Sequence, residues 1–337
     1  GSVRRKKETI GDVDILVVSN QPQVVLDYFC SLGGIVKIWS KGPSKASVRL
    51  KYGLDMDLRV IRAESFGAAL QYFTGSKEHN IKTRKIAMDK GFKLNEYGLF
   101  KGKKMIAARK EQDIYKALGL TYMEPELRED QGEIEAALQG KLPSLVGYDD
   151  IKGDLHCHSD WDGGENSIAQ MAEAAQALGY EYIGISDHTK FLKIEKGLDE
   201  KKLLQQKKEI YKLNSQFTIN PSGSKPQNPG FRILHGCETN ILNDGSVDIN
   251  DQTLAQLDYV IAGVHSNLKM PKASMTSRII KAMQNPNIDI ISHPTGRLLN
   301  KREEYQIDFD KVLRAARETK TIMEINASPQ RLDLSDQ

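Results

Sequence analysis

From residue 151 onward the chain alternates short apolar runs with helical segments, and this alternation constrains the fold more than any other feature. The apolar runs cover 153–158, 182–186, 231–236, 259–264, 288–292 and 321–325. Strands that alternate with helices predict a parallel sheet or barrel. A length of 337 residues leaves room for a separate domain before it. The second half is therefore expected to form an α/β domain of its own.

Most of these predicted strands end in a histidine or a carboxylate. The residues are His156, His158, Asp187, His188, Glu238, His265 and His293. His156 and His158 share one face of a strand, because side chains alternate with period two. A single histidine would indicate an ordinary buried or surface residue, but ligands at successive strand ends lie where a (βα) barrel holds its active site. Mixed imidazole and carboxylate ligation, with Glu238 able to bridge two ions, predicts a site for Zn²⁺, Mn²⁺ or Fe²⁺.

The cysteines favour neither a disulfide framework nor a nucleophile. There are three, Cys30, Cys157 and Cys237, and they are too few and too scattered for a framework. Cys157 and Cys237 each neighbour a candidate ligand in the chain, so their thiols are expected on the opposite strand face. No apolar run approaches the roughly 18 residues of a membrane span. We therefore expect a reduced, cytoplasmic setting without membrane contact.

The front half has an α+β pattern. Strands are predicted over 13–18, 35–39, 47–50 and 54–61, and helices over 23–32, 66–73 and 81–90, followed by strand and turn segments over 92–105. The short connections predict antiparallel pairing. Residues 131–150, with their acidic residues, Pro143 and several glycines, are predicted to be a linker with a short helix.

Three aspartates in the front half could hold metal ions. Asp12 and Asp14 lie on one face of the first predicted strand, and Asp57 lies on a later strand that we expect to be its neighbour. Three carboxylates can hold two Mg²⁺ ions, which align an attacking 3′-hydroxyl with a nucleoside triphosphate. The alternative is a solvated strand face, because an Asp-x-Asp sequence alone is a weak signal.

Charge divides the chain at the same point as histidine content. Residues 1–120 hold 23 Lys and Arg against 12 Asp and Glu, a net charge of +11, whereas 121–150 hold 2 against 8 and 151–337 hold 23 against 25. A basic front half suits binding to a phosphate backbone, which should weaken steeply with salt. A solvated face is the alternative for such lysines and arginines.

The motifs of the back half resemble the polymerase and histidinol phosphatase (PHP) domain. They are Gly153-Asp154-Leu155-His156-Cys157-His158, Ser186-Asp187-His188-Thr189, His235-Gly236-Cys237-Glu238, Gly263-Val264-His265-Ser266 and Ser292-His293-Pro294. The resemblance covers about 151–337 and implies a distorted (βα)7-type barrel whose three-metal centre hydrolyses phosphate esters. The implied ligands are His156, His158, Asp162, His188, Glu238, His265 and His293, with Asp160 as the alternative to Asp162. The family's final Asp-x-His pair does not occur before Gln337, so we expect a barrel lacking its last strand and a weak or missing third metal.

The motifs of the front half resemble the palm and thumb of family X DNA polymerases. They are Gly1-Ser2-Val3-Arg4-Arg5, Gly11-Asp12-Val13-Asp14, Asp57-Leu58-Arg59 and Tyr72-Phe73-Thr74-Gly75-Ser76, with Asn80, Arg84 and Asn95-Glu96-Tyr97. The resemblance implies an α+β nucleotidyltransferase palm over 1–62 and a thumb over 63–130.

The same resemblance implies a role for each matching residue. Ser2 and Arg5 would hold the triphosphate, and Asp12, Asp14 and Asp57 would be the catalytic, metal-binding carboxylates. Tyr72 and Phe73 would line the sugar pocket, Gly75 would let the backbone approach the nucleotide, and Asn80 and Arg84 would face the minor groove. Family members also carry a helix-hairpin-helix domain and a fingers segment before these motifs, so the resemblance implies a chain shortened at both ends.

The two resemblances together imply a DNA-repair polymerase of the bacterial and archaeal kind. It would fill gaps by two-metal addition of dNTPs, and its PHP domain would act as a metal-dependent 3′–5′ exonuclease or 3′-end-processing phosphoesterase. Its partners would be gapped or primed DNA and dNTPs, its ions Mg²⁺ at the polymerase site and Mn²⁺ or Zn²⁺ at the PHP site, and its state monomeric. One alternative is a PHP-type phosphatase of small phosphorylated metabolites with a non-functional nucleotidyltransferase half. Another is a DNA-binding fragment without turnover.

Overall fold

The structure, a computed structural model, describes residues 1–193, 196–218 and 230–335. Two compact units divide the chain, the first over 1–145 and the second over 146–337. Within the described residues, no helix is both long enough and apolar enough to cross a membrane.

The first unit begins with a four-stranded sheet. Its strands are β1 (Asp12–Val18), β2 (Ile35–Lys41), β3 (Lys45–Leu50) and β4 (Asp55–Ile61), in the order β1-β4-β3-β2. The antiparallel prediction is correct for β2 with β3 and for β3 with β4, but wrong for β1, which pairs with β4 in parallel. The reason is α1 (Pro22–Ser31), a helical crossover that returns the chain so that β2 runs in the direction of β1.

A small apolar core holds α1 against this sheet. Leu26 and Phe29 of α1 are buried against Val48 of β3 and Leu58 and Val60 of β4. Proline at the first helical position supports the start of α1, because its missing N–H has no partner there in any case. The sheet face opposite α1 is thereby left to carry polar side chains.

The remainder of the first unit is mostly helical. It contains α2 (Phe66–Thr74), α3 (Lys77–Asp89), β5 (Lys93–Asn95), β6 (Gly98–Lys101), β7 (Lys104–Ala107), α4 (Glu111–Ala117) and α5 (Glu133–Gln139). The three strands form an antiparallel sheet in chain order.

Helix α5 lies inside the segment 131–150 that the sequence predicts to be a linker. Its Ile134 and Ala137 are buried in the same apolar core as Tyr115. Glu133 Oε1 lies 2.7 Å from His79 Nδ1, and His79 Nε2 lies 2.9 Å from the Tyr115 hydroxyl. The predicted short helix is confirmed, and its apolar face packs against the core of the first unit.

The second unit is a parallel α/β domain. Its strands are β8 (Gly153–Cys157), β9 (Tyr182–Ile185), β10 (Arg232–His235), β11 (Glu238–Asn240), β12 (Ile261–Gly263), β13 (Ile290–Ile291) and β14 (Ile322–Met323). Its helices are α6 (Ile168–Ala177), α7 (Glu200–Thr218), α8 (Asp251–Leu254), α9 (Lys272–Met283) and α10 (Phe309–Thr319). The strands form two parallel sheets, β10-β9-β8 and β11-β12-β13-β14. The predicted alternation is confirmed, and the carboxyl ends of the strands bring their polar residues together.

Candidate functional sites

Glu238, at the start of β11, is the centre of a cluster of imidazoles in the second unit. The carboxylate is buried, with 1% of the residue exposed. Its Oε2 lies 3.3 Å from His156 Nε2, 3.8 Å from His158 Nε2 and 3.0 Å from His188 Nε2. All three rings follow or end the first two strands of the unit, so one carboxylate oxygen faces one group of imidazoles.

The other oxygen of Glu238 faces a second group. Its Oε1 lies 3.3 Å from His265 Nε2 and 2.9 Å from His293 Nε2, and it accepts a 2.7 Å hydrogen bond from Ser292 Oγ. These residues follow β12 and β13. A carboxylate with imidazoles on both oxygens has the arrangement of a ligand that bridges two ions.

Asp162 completes the first group. Its Oδ2 lies 2.8 Å from both His158 Nδ1 and His188 Nδ1 and accepts a 2.8 Å hydrogen bond from the His188 amide. Asp162 is 2% exposed, whereas Asp160, the alternative ligand, is exposed and its side chain is not part of this cluster. Hydrogen bonds from His158 and His188 outweigh the effect of burial and lower the pKa of the Asp162 carboxyl. An ionised Asp162 suits ligation.

The donor set fits metal ions. Three triplets, His156–His158–Glu238, His158–Asp162–His188 and His188–Glu238–His265, bring ligand atoms within 4.8 Å of one another. Two ligand atoms on one Zn²⁺ ion, each about 2.0–2.1 Å from it, stand roughly 3.0–3.4 Å apart, close to the distances around Glu238. His265 Nε2 is buried and has no hydrogen-bond partner. Buried polar atoms normally have a partner, and a ligated ion would supply one for this atom.

In the absence of an ion, His156 and Glu238 stabilise each other's charged forms, whereas burial keeps the Cys157 thiol protonated. Burial alone would lower the pKa of His156, but attraction to Glu238 outweighs it and raises the pKa to about 10. For Glu238 burial opposes ionisation, yet His156 and His265 hold its pKa well below the ordinary value. Burial raises the pKa of the Cys157 thiol to about 12, so Cys157 is a poor nucleophile.

Glu324, directly after β14, is a member of the cluster that sequence reasoning missed. Its Oε1 lies 2.6 Å from His156 Nδ1, and its Oε2 accepts a 2.5 Å hydrogen bond from the His293 amide. The available signal was position, because Glu324 lies near the end of the predicted strand over 321–325. Glu324 therefore orients one ligand ring and the backbone of another.

Asp187 lies at a predicted strand end but is not one of the clustered ligands. Its carboxylate accepts hydrogen bonds of 2.5 Å from the Ser159 amide, from Ser159 Oγ and from Gln206 Nε2. Burial raises the pKa of Asp187 above its usual range. The residue fixes the start of the loop that carries Asp162.

Gly263 ends β12 where only a hydrogen fits. A Cβ on this residue would lie 2.6 Å from Ser292 Oγ, 2.7 Å from His265 Cε1 and 2.8 Å from Glu238 Oε1. Side chains do not approach so closely, so the glycine allows Glu238 and His265 to meet.

In the first unit, Asp12, Asp14 and Asp57 lie on one face of the sheet. The parallel register of β1 and β4 pairs Asp14 with Asp57 and Asp12 with Asp55, so all four carboxylates share that face. Oxygen donors of this kind suit Mg²⁺. Lys45 Nζ lies 3.0 Å from Asp57 Oδ2 and offsets its charge. Among the described residues, the triplets of ligand atoms within 4.8 Å all belong to the second unit.

The first predicted segment lies beside one of these aspartates, and its Arg5 lies beside Gly75. A Cβ on Gly1 would lie 2.7 Å from Asp14 Oδ2, so the segment with Ser2 passes beside Asp14. Gly75 has a φ of 72°, and its missing Cβ leaves room for Arg5 Nη1. Arg5 itself is engaged, since its Nε donates a 2.7 Å hydrogen bond to Glu129 Oε1.

The residues predicted to face the minor groove and the sugar have protein contacts. Asn80 is 8% exposed, donates a 2.7 Å hydrogen bond to the Tyr72 carbonyl and accepts one of 2.7 Å from Gln71. Arg84 Nε donates to the Asn80 carbonyl at 3.2 Å. The Tyr72 and Phe73 rings meet edge to face with centroids 5.1 Å apart. Asn80 thus ties the C-terminal end of α2 to α3.

Fold and site together define a metal-binding α/β domain that follows an α+β unit. Residues 154–328 match the PHP domain family and residues 69–129 match the DNA polymerase beta thumb. The chain belongs to the PHP domain family, and the predicted resemblance to family X polymerases with a PHP domain is confirmed.

The relatives of the chain include a protein named as a DNA polymerase and exonuclease and proteins named as probable phosphatases. The DNA polymerase/3′-5′ exonuclease PolX of Bacillus subtilis is 40% identical over 99% of this chain, and this chain spans 57% of that relative's length. A probable phosphatase of Acetivibrio thermocellus is 29% identical over 51% of this chain and 64% of its own length. A solved ternary P/T complex of Leishmania infantum polymerase beta is 30% identical over 38% of this chain and 65% of that chain, with a TM-score of 0.34.

Proposed function

We propose that the second unit is a metal-dependent phosphoesterase that removes nucleotides or blocking groups from the 3′ end of DNA. The observation that carries the proposal is Glu238, a buried carboxylate with imidazoles on both oxygens. The similarity to a polymerase/3′-5′ exonuclease supports DNA as the substrate.

The side chains divide the work at this centre. His156, His158, Asp162, His188 and Glu238 would hold ions on one side, and Glu238, His265 and His293 on the other. Bound ions of this kind lower the pKa of a water molecule and offset charge on the phosphoryl oxygens. Because Zn²⁺ and Mn²⁺ both accept imidazole and carboxylate ligands, either ion suits this set.

The space beside the centre supports a single-stranded end as substrate. A cavity of about 1050 Å³ adjoins the ligands and is lined by Tyr180, Tyr182, Asn326, Ser328 and Arg331. Arg331 Nη1 is buried without a hydrogen-bond partner, which suits a phosphate oxygen. The volume is near the upper end of the range of small-ligand pockets and is large enough for one or two nucleotides.

For the first unit we propose nucleotide addition at a primer 3′ end. Asp12, Asp14 and Asp57 would bind two Mg²⁺ ions, with Asp57 accepting the primer proton, and Ser2 and Arg5 would contact the triphosphate. The shared sheet face of the carboxylates and the net charge of +11 over residues 1–120, from 23 basic and 12 acidic residues, support the proposal. Arg5 would exchange Glu129 for the nucleotide, and Lys45 would leave Asp57 when cations bind.

One assay tests both activities. A 5′-labelled primer on gapped DNA is incubated with the full chain in Mg²⁺ or Mn²⁺, with and without dNTPs. We expect extension with dNTPs and shortening without them. Asp57→Asn should abolish extension and spare shortening, and Glu238→Gln should do the reverse. Asp244→Asn, an equal charge change at a side chain that is 67% exposed, is the control and should alter neither.

The same assay can contradict the proposal. If either variant abolished both activities while its folding stayed intact, the two sites would not be separate. If the wild-type chain bound gapped DNA but neither extended nor shortened the primer in Mn²⁺, the catalytic assignment would fail and DNA binding alone would remain.

A second candidate for the second unit is a phosphatase of small phosphorylated metabolites. It is favoured by the similarity to proteins named probable phosphatases, which extends over 51–53% of this chain in three relatives. Hydrolysis of a small phosphomonoester, with no activity on primed DNA and the same sensitivity to Glu238→Gln, would favour this candidate over the first.

A further inference from the structure

We propose that Asn240 is a positioning residue that fixes the tautomer of His265, so that His265 Nε2 is held as a metal ligand. Asp248 and Thr189 in turn fix the orientation of the Asn240 amide. The inference rests on the metal centre of the proposed function and adds residues that lie outside the ligand set.

The ring of His265 has two different environments. Its Nδ1 lies 2.8 Å from Asn240 Oδ1. Its Nε2 is buried, faces Glu238 Oε1 at 3.3 Å and makes no hydrogen bond. An amide oxygen only accepts, so Nδ1 must carry the proton, and the lone pair of the neutral ring is then on Nε2.

The orientation of the Asn240 amide follows from its other neighbours. Asn240 Nδ2 lies 3.0 Å from Thr189 Oγ1 and 3.1 Å from Asp248 Oδ2. A flipped amide would place its oxygen against the Asp248 carboxylate and its NH₂ against His265 Nδ1. The unflipped amide satisfies both of its N–H groups and leaves Oδ1 for the imidazole.

Asp248 is itself held from several directions. Its Oδ1 accepts hydrogen bonds of 2.7 Å from Thr189 Oγ1, 2.7 Å from Thr239 Oγ1 and 2.9 Å from the backbone N–H of Asn240. Its Oδ2 accepts one of 2.8 Å from the Phe191 amide. Thr189, Thr239 and Asn240 are almost wholly buried. Because its donors come from the segment after β9 and from β11, Asp248 cannot turn without breaking both attachments.

Asp248, Asn240 and His265 therefore form a relay that ends at Glu238 Oε1, the oxygen that would share a metal ion with His265. Groups that hydrogen-bond the outer nitrogen of a ligating histidine set ring orientation and tautomer, and losing one typically weakens metal affinity about 10–100-fold. We expect a loss of that size when Asn240 no longer offers an acceptor.

The first experiment examines the wild-type protein and uses a variant only for assignment. The full chain, labelled with ¹⁵N at histidine and loaded with Zn²⁺, is studied by long-range ¹H–¹⁵N NMR, with a His265→Gln sample to assign the signal. We expect His265 to bind through Nε2 and to keep its proton on Nδ1. Ligation through Nδ1, or a His265 that is not ligated while the other histidines are, overturns the inference.

The second experiment measures affinity. Asn240→Ala and the wild-type chain compete with a chromophoric chelator for Zn²⁺, and circular dichroism checks that each is folded. We expect about a 10–100-fold weaker site in the variant, with the His265 signal shifted or broadened. Asp244→Asn is the control. Asp244 lies in the same loop as Asp248, but its carboxylate contacts Ser246 and Lys281, so this variant should leave the Zn²⁺ affinity unchanged.

A purely structural role for Asn240 has a different outcome. It would lower the unfolding temperature of Asn240→Ala and leave the Zn²⁺ affinity and the His265 signal of the folded protein unchanged, and that result overturns the inference. If Asn240→Ala does not fold, the wild-type NMR result decides. Neither readout uses DNA, so loss of the proposed nuclease activity with an intact relay counts against the proposed function alone.

Discussion

Replacing Glu111 by Gln tests the ion pair that holds the helical part of the first unit together. Glu111 is 4% exposed and accepts hydrogen bonds of 2.6 Å from Arg128 Nη1 and 2.7 Å from Arg4 Nη2. Arg128 is wholly buried, and its Nε and Nη2 donate to the Met123 carbonyl at 3.0 and 2.8 Å. The variant keeps the shape of the side chain and removes only its charge.

The magnitude follows from what remains in place. Removing one partner of a buried ion pair costs about 3–5 kcal/mol, because the other charge stays buried. Arg128 keeps its bonds to Met123, and the side-chain amide introduced by Glu111→Gln can still accept one hydrogen bond worth about 1 kcal/mol. We therefore expect the free energy of unfolding of the first unit to fall by about 3 kcal/mol, near the lower end of that range.

The assay is urea denaturation of the full chain, followed by circular dichroism and by tyrosine fluorescence, since Tyr115 and Tyr122 flank Arg128. Glu64→Gln is the control, because Glu64 meets Arg62 at 3.9 Å on the surface and should cost under about 1 kcal/mol. If Glu111→Gln lowered the free energy of unfolding by less than about 1 kcal/mol, the reasoning that it leaves the Arg128 charge buried without a partner would be refuted.

The same residue gives a pH dependence with a definite sign. Burial opposes ionisation of Glu111, but Arg4 and Arg128 outweigh it and lower its pKa below the ordinary 4.5. A depressed pKa in the folded state stabilises the fold above pH 4.5, and this stabilisation is lost as the pH falls through the folded value. As the pH falls below 4.5, the free energy of unfolding of the wild type should therefore decrease, and that of Glu111→Gln should decrease less.

Three further predictions concern the second unit and DNA binding. Gly263→Ala should lower the bound metal per chain, measured by elemental analysis, because its Cβ would stand 2.7 Å from His265 Cε1; full metal content would contradict this packing. Asp187→Asn should lower unfolding stability by about 1–3 kcal/mol, since an amide N–H would face the donors of Ser159 and Gln206; an unchanged denaturation midpoint would count against it. Binding of gapped DNA should fall steeply with salt in a fluorescence titration, whereas salt-independent binding would exclude backbone contacts as its source.

The metal centre could be predicted because its ligands follow strand ends. Period-two alternation puts His156 and His158 on one face, and parallel strands end at one edge, so spacing alone brings the histidines near Glu238. Glu324 was missed because it lies inside the predicted apolar run over 321–325, where no other possible ligand lies beside it. Its partner is His156, which is 168 residues away in sequence.

The first unit was less predictable for a similar reason. Short connections favour antiparallel pairs, so the parallel direction of β1 against β4 was not predicted, although the two strands were expected to be neighbours. The shared face of Asp12, Asp14 and Asp57 nevertheless follows from alternation once the two strands are neighbours. The protein partners of Asn80 and Arg5 depend on tertiary packing, which residue type and spacing do not specify.

The position of α5 decides where the chain can be divided for separate expression. A fragment ending at residue 130 would lose Glu133 and leave the His79 imidazole without that partner, and it would uncover the apolar surface that Ile134 and Ala137 occupy. A fragment ending at Leu145 keeps all of these contacts, because the first unit ends there. The acidic, glycine-containing stretch that resembles a spacer in sequence thus belongs in large part to the domain it follows.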